Sequence, residues 1–482
     1  MVMGEQTLET QVAVIGGGPG GYAAAFRAAD LGLEVTLINE EEMLGGMCLH
    51  RGCIPSKALH RTTELIQQAR DAKKFGVRFE EPEIDLEGVR RGVERVIKTL
   101  ARGLAHLAKQ REVQVLHGRA VFESSRQLRV RGGEVAHIQF EHAIIATGLH
   151  TRPLPGVEFK FKEEGRVMGP GTALHLPEIP ETLLVIGGGY SGLEIGSRYA
   201  HLGSRVTVVE MLDSLLPGVD PELVNPLEKN LKKLFEAIHL NTTVADLKES
   251  DDHVEVTFES DEGEAGAGEE SSQTFDRVVI SSGSRPNSEG LGLENTKIEV
   301  DDDGFIQVDA QQRTADPRIF AVGDVVGGKM LAHKAMYEGK IAAEVIAGEP
   351  AAFDARAIPA VVYTDPEVAW CGLSEAEAEE AGYEIEVGRF PWSASGRALT
   401  MGSRQGLTKI IFEAETERVL GVGIVGPRAE DLIAEAALAV EMGAVAEDLA
   451  LTVHAHPTLG ETVGGAAEAF LGIPIDILPP RD

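Results

Sequence analysis

Two cysteines that stand close together in the chain are its best candidates for redox chemistry. Cys48 and Cys53 lie in the stretch GGMCLHRGCIPSK, residues 45–57. A metal site is disfavoured, because two thiolates do not complete a tetrahedral zinc centre and no second pair of Cys or His stands nearby. Inert core thiols are disfavoured by the glycines and charges around them. A disulfide across so short a loop would stabilise the chain little, so thiol–disulfide exchange is the better explanation of the pair.

Two segments repeat one design that predicts dinucleotide binding. Residues 11–39 run from an apolar strand through GGGPGG into an Ala-rich helix and a second strand, and residues 182–210 do the same through GGGYSG. In this setting the glycines allow a tight turn and close approach to a pyrophosphate, whose charge the helix N-terminus stabilises. The residues expected to line the turns are Gly16, Gly18, Pro19, Gly20 and Gly21 in the first, and Gly187, Gly189, Tyr190 and Gly192 in the second.

The order of these units predicts an α/β protein with two Rossmann-like dinucleotide-binding domains, one inserted in the other. After the second unit an apolar strand and the segment TADPRIFAVGD, residues 314–324, return to the first domain. From about residue 353 the pattern changes to mixed strands and helices without a third glycine motif, which favours an α+β dimerisation domain. The expected boundaries are 1–150 and 281–350 for the first dinucleotide-binding domain, 151–280 for the inserted second one and 351–482 for the dimerisation domain.

Length and charge narrow the possible partners and compartments. A chain of 482 residues predicts several domains, and its formal charge of -32 excludes nucleic acid and anionic membranes while favouring a basic partner. No run of about 18 uncharged apolar residues predicts a membrane span. Residues 1–10 lack the basic and apolar regions of a signal peptide, so we expect a cytoplasmic protein.

Four motifs together resemble the flavoprotein disulfide reductases over essentially the whole chain. They are the first glycine turn, the cysteine stretch, Asp324 in AVGD, and HAHPTLGE at residues 454–461. Within that family the chain is most similar to the branch that oxidises dihydrolipoyl groups with NAD+. The resemblance implies FAD and NAD as cofactors and a homodimer. Its partners would be dihydrolipoyl groups on acyltransferase or glycine cleavage carrier proteins, and the basic subunit-binding domain of a complex core.

The resemblance also implies a role for each matching residue. Cys48 would exchange with the substrate and Cys53 would form a thiolate against the flavin, beside Lys57 and its partner Glu194. His456 would be the base and Glu461 the carboxylate that orients it. Thiol–disulfide exchange needs such a base, because a thiol of pKa ~8.5 is mostly protonated at neutral pH and an imidazole can take its proton. The remaining cofactor contacts that the resemblance implies are Asn39, Glu40, Gly46, Lys57, Thr147, Gly148, Glu210, Gly283, Asp324 and Ala332.

Three positions depart from the family pattern. Asn39 stands 23 residues after Gly16, where an acid normally binds the flavin-side ribose, and Glu40 is adjacent. His50 and Arg51 lie between the cysteines, where two basic groups either depress a thiol pKa or form a solvated face. Tyr190 replaces an aliphatic residue and could cover the nicotinamide pocket. His454 is expected to be structural.

Rival functions lack their own signatures in this chain. Glu210, 23 residues after Gly187, accepts ribose hydroxyls and repels a 2'-phosphate, whereas a glutathione-type reductase would need a basic pair there. A mercuric reductase would need a terminal cysteine pair, and residues 479–482 read PPRD. A flavoprotein that serves only as a scaffold would not need the full set of catalytic residues.

Overall fold

The computed structural model describes residues 7–133, 135–152, 154, 157, 165–260 and 271–479. The first six residues and the last three, which bear on the leader and terminal-cysteine expectations, lie outside the described residues. Among the described residues, no helix is long and apolar enough to cross a membrane.

A parallel sheet with helices against it forms the first nucleotide-binding unit. The strands β1, β2, β3 and β6 are parallel in the order β3-β2-β1-β6, while β4 and β5 extend β6 as an antiparallel meander. Strand β1 ends in four apolar residues that are fully buried or nearly so, as expected for a strand covered on both faces. The strands are β1 (Thr7–Ile15), β2 (Val35–Asn39), β3 (Gln114–His117), β4 (Arg119–Ser124), β5 (Gln127–Arg131), β6 (His137–Ile145) and β7 (Leu149–Thr151).

The helices of this unit carry the glycine turn and the cysteine pair. Helix α1 begins at a proline, which suits the first helical position, and buries its alanine face against the sheet. Helix α4 begins after Asp85, whose side chain accepts a hydrogen bond from the Gly88 N–H. The helices are α1 (Pro19–Asp30), α2 (Gly46–Arg51), α3 (Cys53–Asp71) and α4 (Leu86–Gln110), with a 3-10 turn at Ala72–Phe75.

A second parallel sheet repeats this architecture. Its order is β11-β10-β9-β15-β8, and a separate antiparallel meander, β12-β13-β14, lies beside it. The strands are β8 (Val167–Met168), β9 (Thr182–Ile186), β10 (Arg205–Val209), β11 (Ala237–His239), β12 (Thr242–Glu249), β13 (Val254–Ser260), β14 (Ser271–Phe275) and β15 (Arg277–Ile280). The helices are α5 (Pro170–Leu174), α6 (Tyr190–Leu202) and α7 (Pro221–Leu234).

The chain then returns to the first sheet. Strand β16 (Ser284–Pro286) pairs with β7, and β17 (Ile319–Ala321) joins β6 in parallel, with α8 (Ala332–Ile346) packed along α1. Short 3-10 turns occupy Leu293–Asn295 and Gly323–Val326. The second unit is therefore inserted into the first, as the sequence predicts.

The C-terminal part is an antiparallel sheet with helices on it. Its order is β18-β19-β22-β21-β20, and its core is closed by the fully buried Trp392. Cys371 lies buried in this core, where desolvation raises its pKa to about 12, so it is an inert thiol. The strands are β18 (Ala360–Val362), β19 (Val368–Gly372), β20 (Ile385–Pro391), β21 (Leu407–Glu413) and β22 (Val419–Val425). The helices are α9 (Glu375–Glu380), α10 (Gly396–Thr400), α11 (Ala429–Met442), α12 (Ala446–Leu451) and α13 (Glu461–Phe470), with a 3-10 turn at Trp392–Ala394.

Candidate active site

The first glycine turn leaves no room for side chains. A Cβ at Gly16, whose φ is +104°, would lie 2.4 Å from the Ala146 carbonyl oxygen, and one at Gly21 would lie 1.8 Å from the Gly16 carbonyl oxygen. Helix α1 begins directly after this turn, and no side chain of the described residues caps it. The start of α1 therefore presents backbone N–H groups without a side-chain cap, beside a turn that has no side chain at Gly16 or Gly21, which is the setting that a pyrophosphate needs.

Asn39 anchors that turn through its side chain. Its Oδ1 accepts a hydrogen bond from the Gly17 N–H at 3.0 Å, and its Nδ2 donates to the carbonyl oxygens of Glu41 at 2.7 Å and Met43 at 3.1 Å. Glu40 is exposed, and its nearest ionic partner is Arg119 at 3.9 Å. The amide that replaces the usual acid thus ties the turn to the loop after β2.

The cysteine segment presses directly on the same turn. The Gly45 N–H donates to the Gly17 carbonyl oxygen at 2.8 Å, and a Cβ at Gly46 would lie 2.7 Å from the Gly18 Cα. Gly45 and Gly46 both have positive φ, which lets the chain turn sharply into α2 and α3. The two cysteines therefore begin and end a short turn that packs against the first nucleotide site.

The two thiols are unequal. A hydrogen bond from Cys48 and the positive charge of Lys57 lower the pKa of Cys53 to about 7, in spite of burial. The same hydrogen bond, together with burial, holds the pKa of Cys48 far above its ordinary value. Cys53 is therefore the thiolate of the pair near neutral pH, and Cys48 carries the proton.

Lys57 is held by a buried carboxylate from the second nucleotide-binding unit. Its Nζ lies 3.0 and 3.2 Å from the two carboxylate oxygens of Glu194, which is almost completely buried on α6. Glu194 also accepts hydrogen bonds from the Ser56 hydroxyl at 2.6 Å and the Tyr363 N–H at 3.0 Å. Burial by itself raises the pKa of Glu194, but the charges of Lys57 and Arg198 and these hydrogen bonds hold it below its ordinary value.

The basic residues between the cysteines face other partners. The His50 Nε2 lies 3.0 Å from the Leu44 carbonyl oxygen, and the Arg51 guanidinium pairs with Glu41. Both contacts direct these side chains toward the loop that follows β2. Of the two interpretations left open by the sequence, the structure favours a solvated and structural role for this pair.

The second glycine turn matches the first in geometry. A Cβ at Gly187 would lie 2.4 Å from the Ser281 carbonyl oxygen, and one at Gly192 would lie 2.1 Å from the Gly187 carbonyl oxygen. Glu210 is buried and accepts hydrogen bonds from the Gly188 N–H at 2.6 Å and the Leu212 N–H at 3.0 Å. Glu210 therefore anchors its turn as Asn39 anchors the first, and its position suits a ribose.

Tyr190 is the first residue of α6 and directly follows Gly189 of the second glycine turn. It is 54% exposed, yet it lies close enough to Asp324, Glu194 and Cys53 for their charges, after desolvation, to raise its pKa. Desolvation also raises the pKa of Asp324, although the positive charge of the nearby Lys334 acts to lower it. Tyr190 thus lies near the cysteine pair and can cover a ligand there.

A buried ion pair that the sequence analysis missed supports the Asp324 turn. The Lys334 Nζ lies 2.7 Å from the Glu338 carboxylate and donates to the Gly327 carbonyl oxygen at 3.0 Å, while Glu338 accepts from the Gly323 N–H at 2.7 Å. The spacing of Lys334 and Glu338 on one helix face was the available signal. Ala332 begins the same helix, α8.

Residues from the domain junctions complete the surroundings. The Thr147 hydroxyl donates to the Asn287 carbonyl oxygen at 2.8 Å, and the Asn287 side chain donates back to the Thr147 carbonyl oxygen at 2.9 Å. Gly148 and Gly283 both have positive φ, at +70° and +117°, where β7 and β16 begin. Asn287, which holds this crossing together, was also missed by the sequence analysis.

His456 and Glu461 form a hydrogen-bonded pair on the C-terminal domain. The His456 Nδ1 lies 2.8 Å from the Glu461 carboxylate, whose other oxygen accepts from the Thr458 N–H at 2.6 Å. The His456 side chain is 80% exposed, so the pair faces outward from its own subunit. His454 is largely buried against Glu435 at 2.7 Å, which fits the structural role expected of it.

Among the described residues, one group of acidic side chains has the spacing of a metal site. Asp220, Glu222 and Glu375 converge, but the buried Lys409 ammonium contacts all three carboxylates. Arg389 pairs with Glu222 and Glu375 at the edge of the same cluster. The cluster is therefore an ion-pair network that ties α7 to the C-terminal sheet.

Comparisons with known proteins agree with this architecture. Residues 10–339 match the family model described as pyridine nucleotide-disulphide oxidoreductase, and residues 358–467 match its dimerisation domain. The chain is 46% identical to dihydrolipoyl dehydrogenase from Haemophilus influenzae, over 98% of this chain and 97% of that one. It is 44% identical to dihydrolipoyl dehydrogenase from Haloferax volcanii, over 99% of this chain and 100% of that one.

A solved structure gives the same result for the fold. The crystal structure of LpdA from Mycobacterium tuberculosis superposes with a TM-score of 0.86 at 27% identity, covering 95% of this chain and 99% of that one. The expected fold class and the resemblance read from the motifs are thus confirmed. By its matched domains and full-length relatives, the chain belongs to the pyridine nucleotide-disulphide oxidoreductase family.

Proposed function

We propose that this protein is a dihydrolipoyl dehydrogenase, which oxidises protein-bound dihydrolipoyl groups and reduces NAD+ to NADH. The observation that carries the proposal is the place of the cysteine pair: Cys48 in α2 and Cys53 at the start of α3 lie in the segment that packs against the first glycine turn, and the ion pair of Lys57 with Glu194 lies one helical turn after Cys53. The relatives named dihydrolipoyl dehydrogenase, at 41–46% identity over nearly the whole chain, support the substrate.

Both cofactors expected from the sequence, FAD and NAD, fit the residues that are present. The first turn, at residues 16–21, would hold the FAD pyrophosphate, with Asp324 and the start of α8 on the other side. The second turn, at residues 187–192, would hold the NAD pyrophosphate, with Glu210 toward its ribose. When bound, FAD supplies two-electron chemistry that links dithiol oxidation to hydride transfer to NAD+.

The two cysteines have different roles in thiol–disulfide exchange. In the oxidised pair, a substrate thiolate attacks the Cys48 sulfur, the Cys48–Cys53 bond breaks, and Cys53 leaves as a thiolate. The second substrate thiol then displaces Cys48, so that lipoyl is released as a cyclic disulfide and both cysteines are reduced. Lys57 stabilises the Cys53 thiolate, and Glu194 holds Lys57 in place.

His456 would take the proton from the attacking thiol. Its Nδ1 is engaged by Glu461, which leaves Nε2 as the proton acceptor and stabilises the imidazolium that forms. Because His456 is 80% exposed on its own subunit, where a second chain can cover it, we place this base on the second subunit of a homodimer. The match of residues 358–467 to a dimerisation domain supports this arrangement.

The proposal extends to domains, partners and compartment. We assign the FAD domain to 1–150 and 281–350, the NAD domain to 151–280 and the dimerisation domain to 351–482. The net charge of -32 favours a basic subunit-binding domain in the core of a 2-oxoacid dehydrogenase or glycine cleavage assembly, in the cytoplasm.

Steady-state kinetics with competing substrates test the proposal. Purified enzyme is assayed with dihydrolipoamide, glutathione disulfide and Hg(II), each with NAD(H) and with NADP(H). We expect the highest kcat/KM with dihydrolipoamide and NAD+. A higher value with glutathione disulfide and NADPH, or with Hg(II), would assign the chain to another branch of the family. Bound flavin without any of these activities would indicate a scaffold.

A further inference from the structure

The ring of Tyr363 lies against the Lys57 ammonium, a contact that the proposed mechanism does not use. The Lys57 Nζ is 4.1 Å from the centroid of the Tyr363 ring, which places the charge over the aromatic face. Tyr363 follows β18, in the C-terminal sheet, so it reaches the cysteine site from a part of the sequence about 300 residues away. The contact joins the dimerisation domain to the redox pair.

The two sides of Tyr363 act on the same ion pair. Its backbone N–H donates to the Glu194 carboxylate at 3.0 Å, while its ring faces the lysine that this carboxylate binds at 3.0 Å. Lys57 is about one third exposed, and Glu194 is the ionic partner on its buried side. Without the ring, Glu194 would hold the ammonium from one side only, and the flexible four-carbon stem would give it more freedom toward solvent.

The position of this ammonium matters because its charge acts on Cys53. The positive charge of Lys57 lowers the pKa of Cys53 and opposes the burial that raises it. An electrostatic effect of this kind falls with distance and with exposure to water. A ring that holds the ammonium in place therefore preserves the thiolate.

We propose that Tyr363 is a positioning residue, whose ring keeps the Lys57 ammonium beside Cys53 through a cation–π contact. The inference rests on the roles of Lys57 and Cys53 proposed above. Other ionisable groups also act on this site. They are Cys48, Tyr190, Glu194, Arg198, Asp324, Glu367 and Asp431.

The test is a pH titration of the Cys53 thiolate in the reduced holoenzyme, followed by its charge-transfer absorbance with bound FAD. Tyr363→Leu is expected to move the midpoint upward by roughly half to one pH unit, which is about a three- to tenfold fall in the ratio of thiolate to thiol at a fixed pH. Tyr363→Phe keeps the aromatic face and the backbone N–H, so its midpoint is expected to stay near that of the wild type.

Two controls separate the ring from its surroundings. His60 contacts the Tyr363 ring edge-on at a centroid distance of 6.0 Å, so His60→Leu disturbs the same packing without touching Lys57 and is expected to leave the midpoint unchanged. Lys57→Met tests the site itself and is expected to raise the midpoint more than any change at Tyr363. An unchanged midpoint in Lys57→Met would overturn both the site assignment and this inference.

Fluorinated phenylalanines at position 363 keep the test decisive if Tyr363→Leu does not fold. Successive fluorine atoms weaken the negative face of the ring while nearly preserving its shape, so the midpoint is expected to rise stepwise with fluorination. A shift in Lys57→Met, combined with equal midpoints across the fluorinated series or a wild-type midpoint in Tyr363→Leu, would overturn the role of Tyr363 alone.

Discussion

Mixed dimers can show whether each active site takes its base from the second subunit. One chain carries Cys48→Ser and the other carries His456→Ala, and co-expression with two affinity tags allows the mixed dimer to be purified. Each parent homodimer should be nearly inactive, because it lacks either the exchange thiol or a general base whose loss typically costs about 10²- to 10⁴-fold.

The expected activity follows from counting intact sites. If the base acts across the interface, one of the two sites in the mixed dimer combines Cys48 from the histidine-mutant chain with His456 from the cysteine-mutant chain. About half of the wild-type kcat per dimer should then return, measured as NADH formed from dihydrolipoamide. The geometry supports this outcome, since the His456 side chain is 80% exposed on its own subunit and is accessible to a second one.

A mirror-image dimer provides the control. A wild-type chain paired with a chain that carries both substitutions has no complete site if the base acts in trans, but one complete site if it acts in cis. The reasoning is refuted if the first mixed dimer is no more active than its parents while the mirror-image dimer keeps half of the activity.

Four further predictions concern the thiol, the cofactors and the fold. Cys48→Ala removes the hydrogen bond that does most to lower the pKa of Cys53. The midpoint for thiolate formation should then rise from about 7 toward that of a free thiol, as measured by charge-transfer absorbance against pH. An unchanged midpoint would show that Lys57 alone sets the pKa of Cys53. Glu210→Gln should lower kcat/KM for NAD+ roughly tenfold, by loss of a charge-assisted hydrogen bond, and should leave NADP+ little affected; equal losses for both nucleotides would point to a damaged turn instead. Asn39→Ala should release FAD at a lower chaotrope concentration than the wild type. Asn39→Glu should do so too, because a carboxylate cannot donate to the carbonyl oxygens that Asn39 now binds. Release of FAD from Asn39→Glu at a higher chaotrope concentration than from the wild type would contradict this. Lys409→Met should lower the free energy of unfolding by about 3 kcal/mol in denaturant titrations, because it leaves three carboxylates together without their buried cation. Arg389 is more exposed, so Arg389→Met should lower the free energy of unfolding by less than about 1 kcal/mol. Similar losses in the two variants would argue against a special role for burial.

The parts of the site that depend on neighbours along the chain were predicted from the sequence. The requirement for glycine at position 21 follows from short-range sterics, since a Cβ there would lie 1.8 Å from the carbonyl oxygen of Gly16 in the same turn. The cysteine spacing likewise places both thiols on one turn. These features need only a few consecutive residues, so their pattern is visible in one dimension, and the order of the two glycine motifs was enough to predict the inserted domain.

The tertiary structure decided what the remaining polar groups do, because their partners are far apart in the sequence. Asn39 stood where an acid was expected, and only the fold shows that its amide ties the glycine turn to the following loop. His50 and Arg51 could have acted on the thiols, but the path of α2 directs them to Leu44 and Glu41.

The difference between local and long-range contacts explains which features of the chain could be predicted from its sequence. Periodicity and glycine spacing report on local backbone geometry, which each segment determines for itself. The role of a charged or aromatic side chain depends on which residues pack against it in the fold. Tyr363 over Lys57 and Lys409 among three carboxylates are examples. The sequence by itself therefore determined the fold class and the chemistry of the cysteines, and the three-dimensional packing determined which side chains hold that chemistry in place.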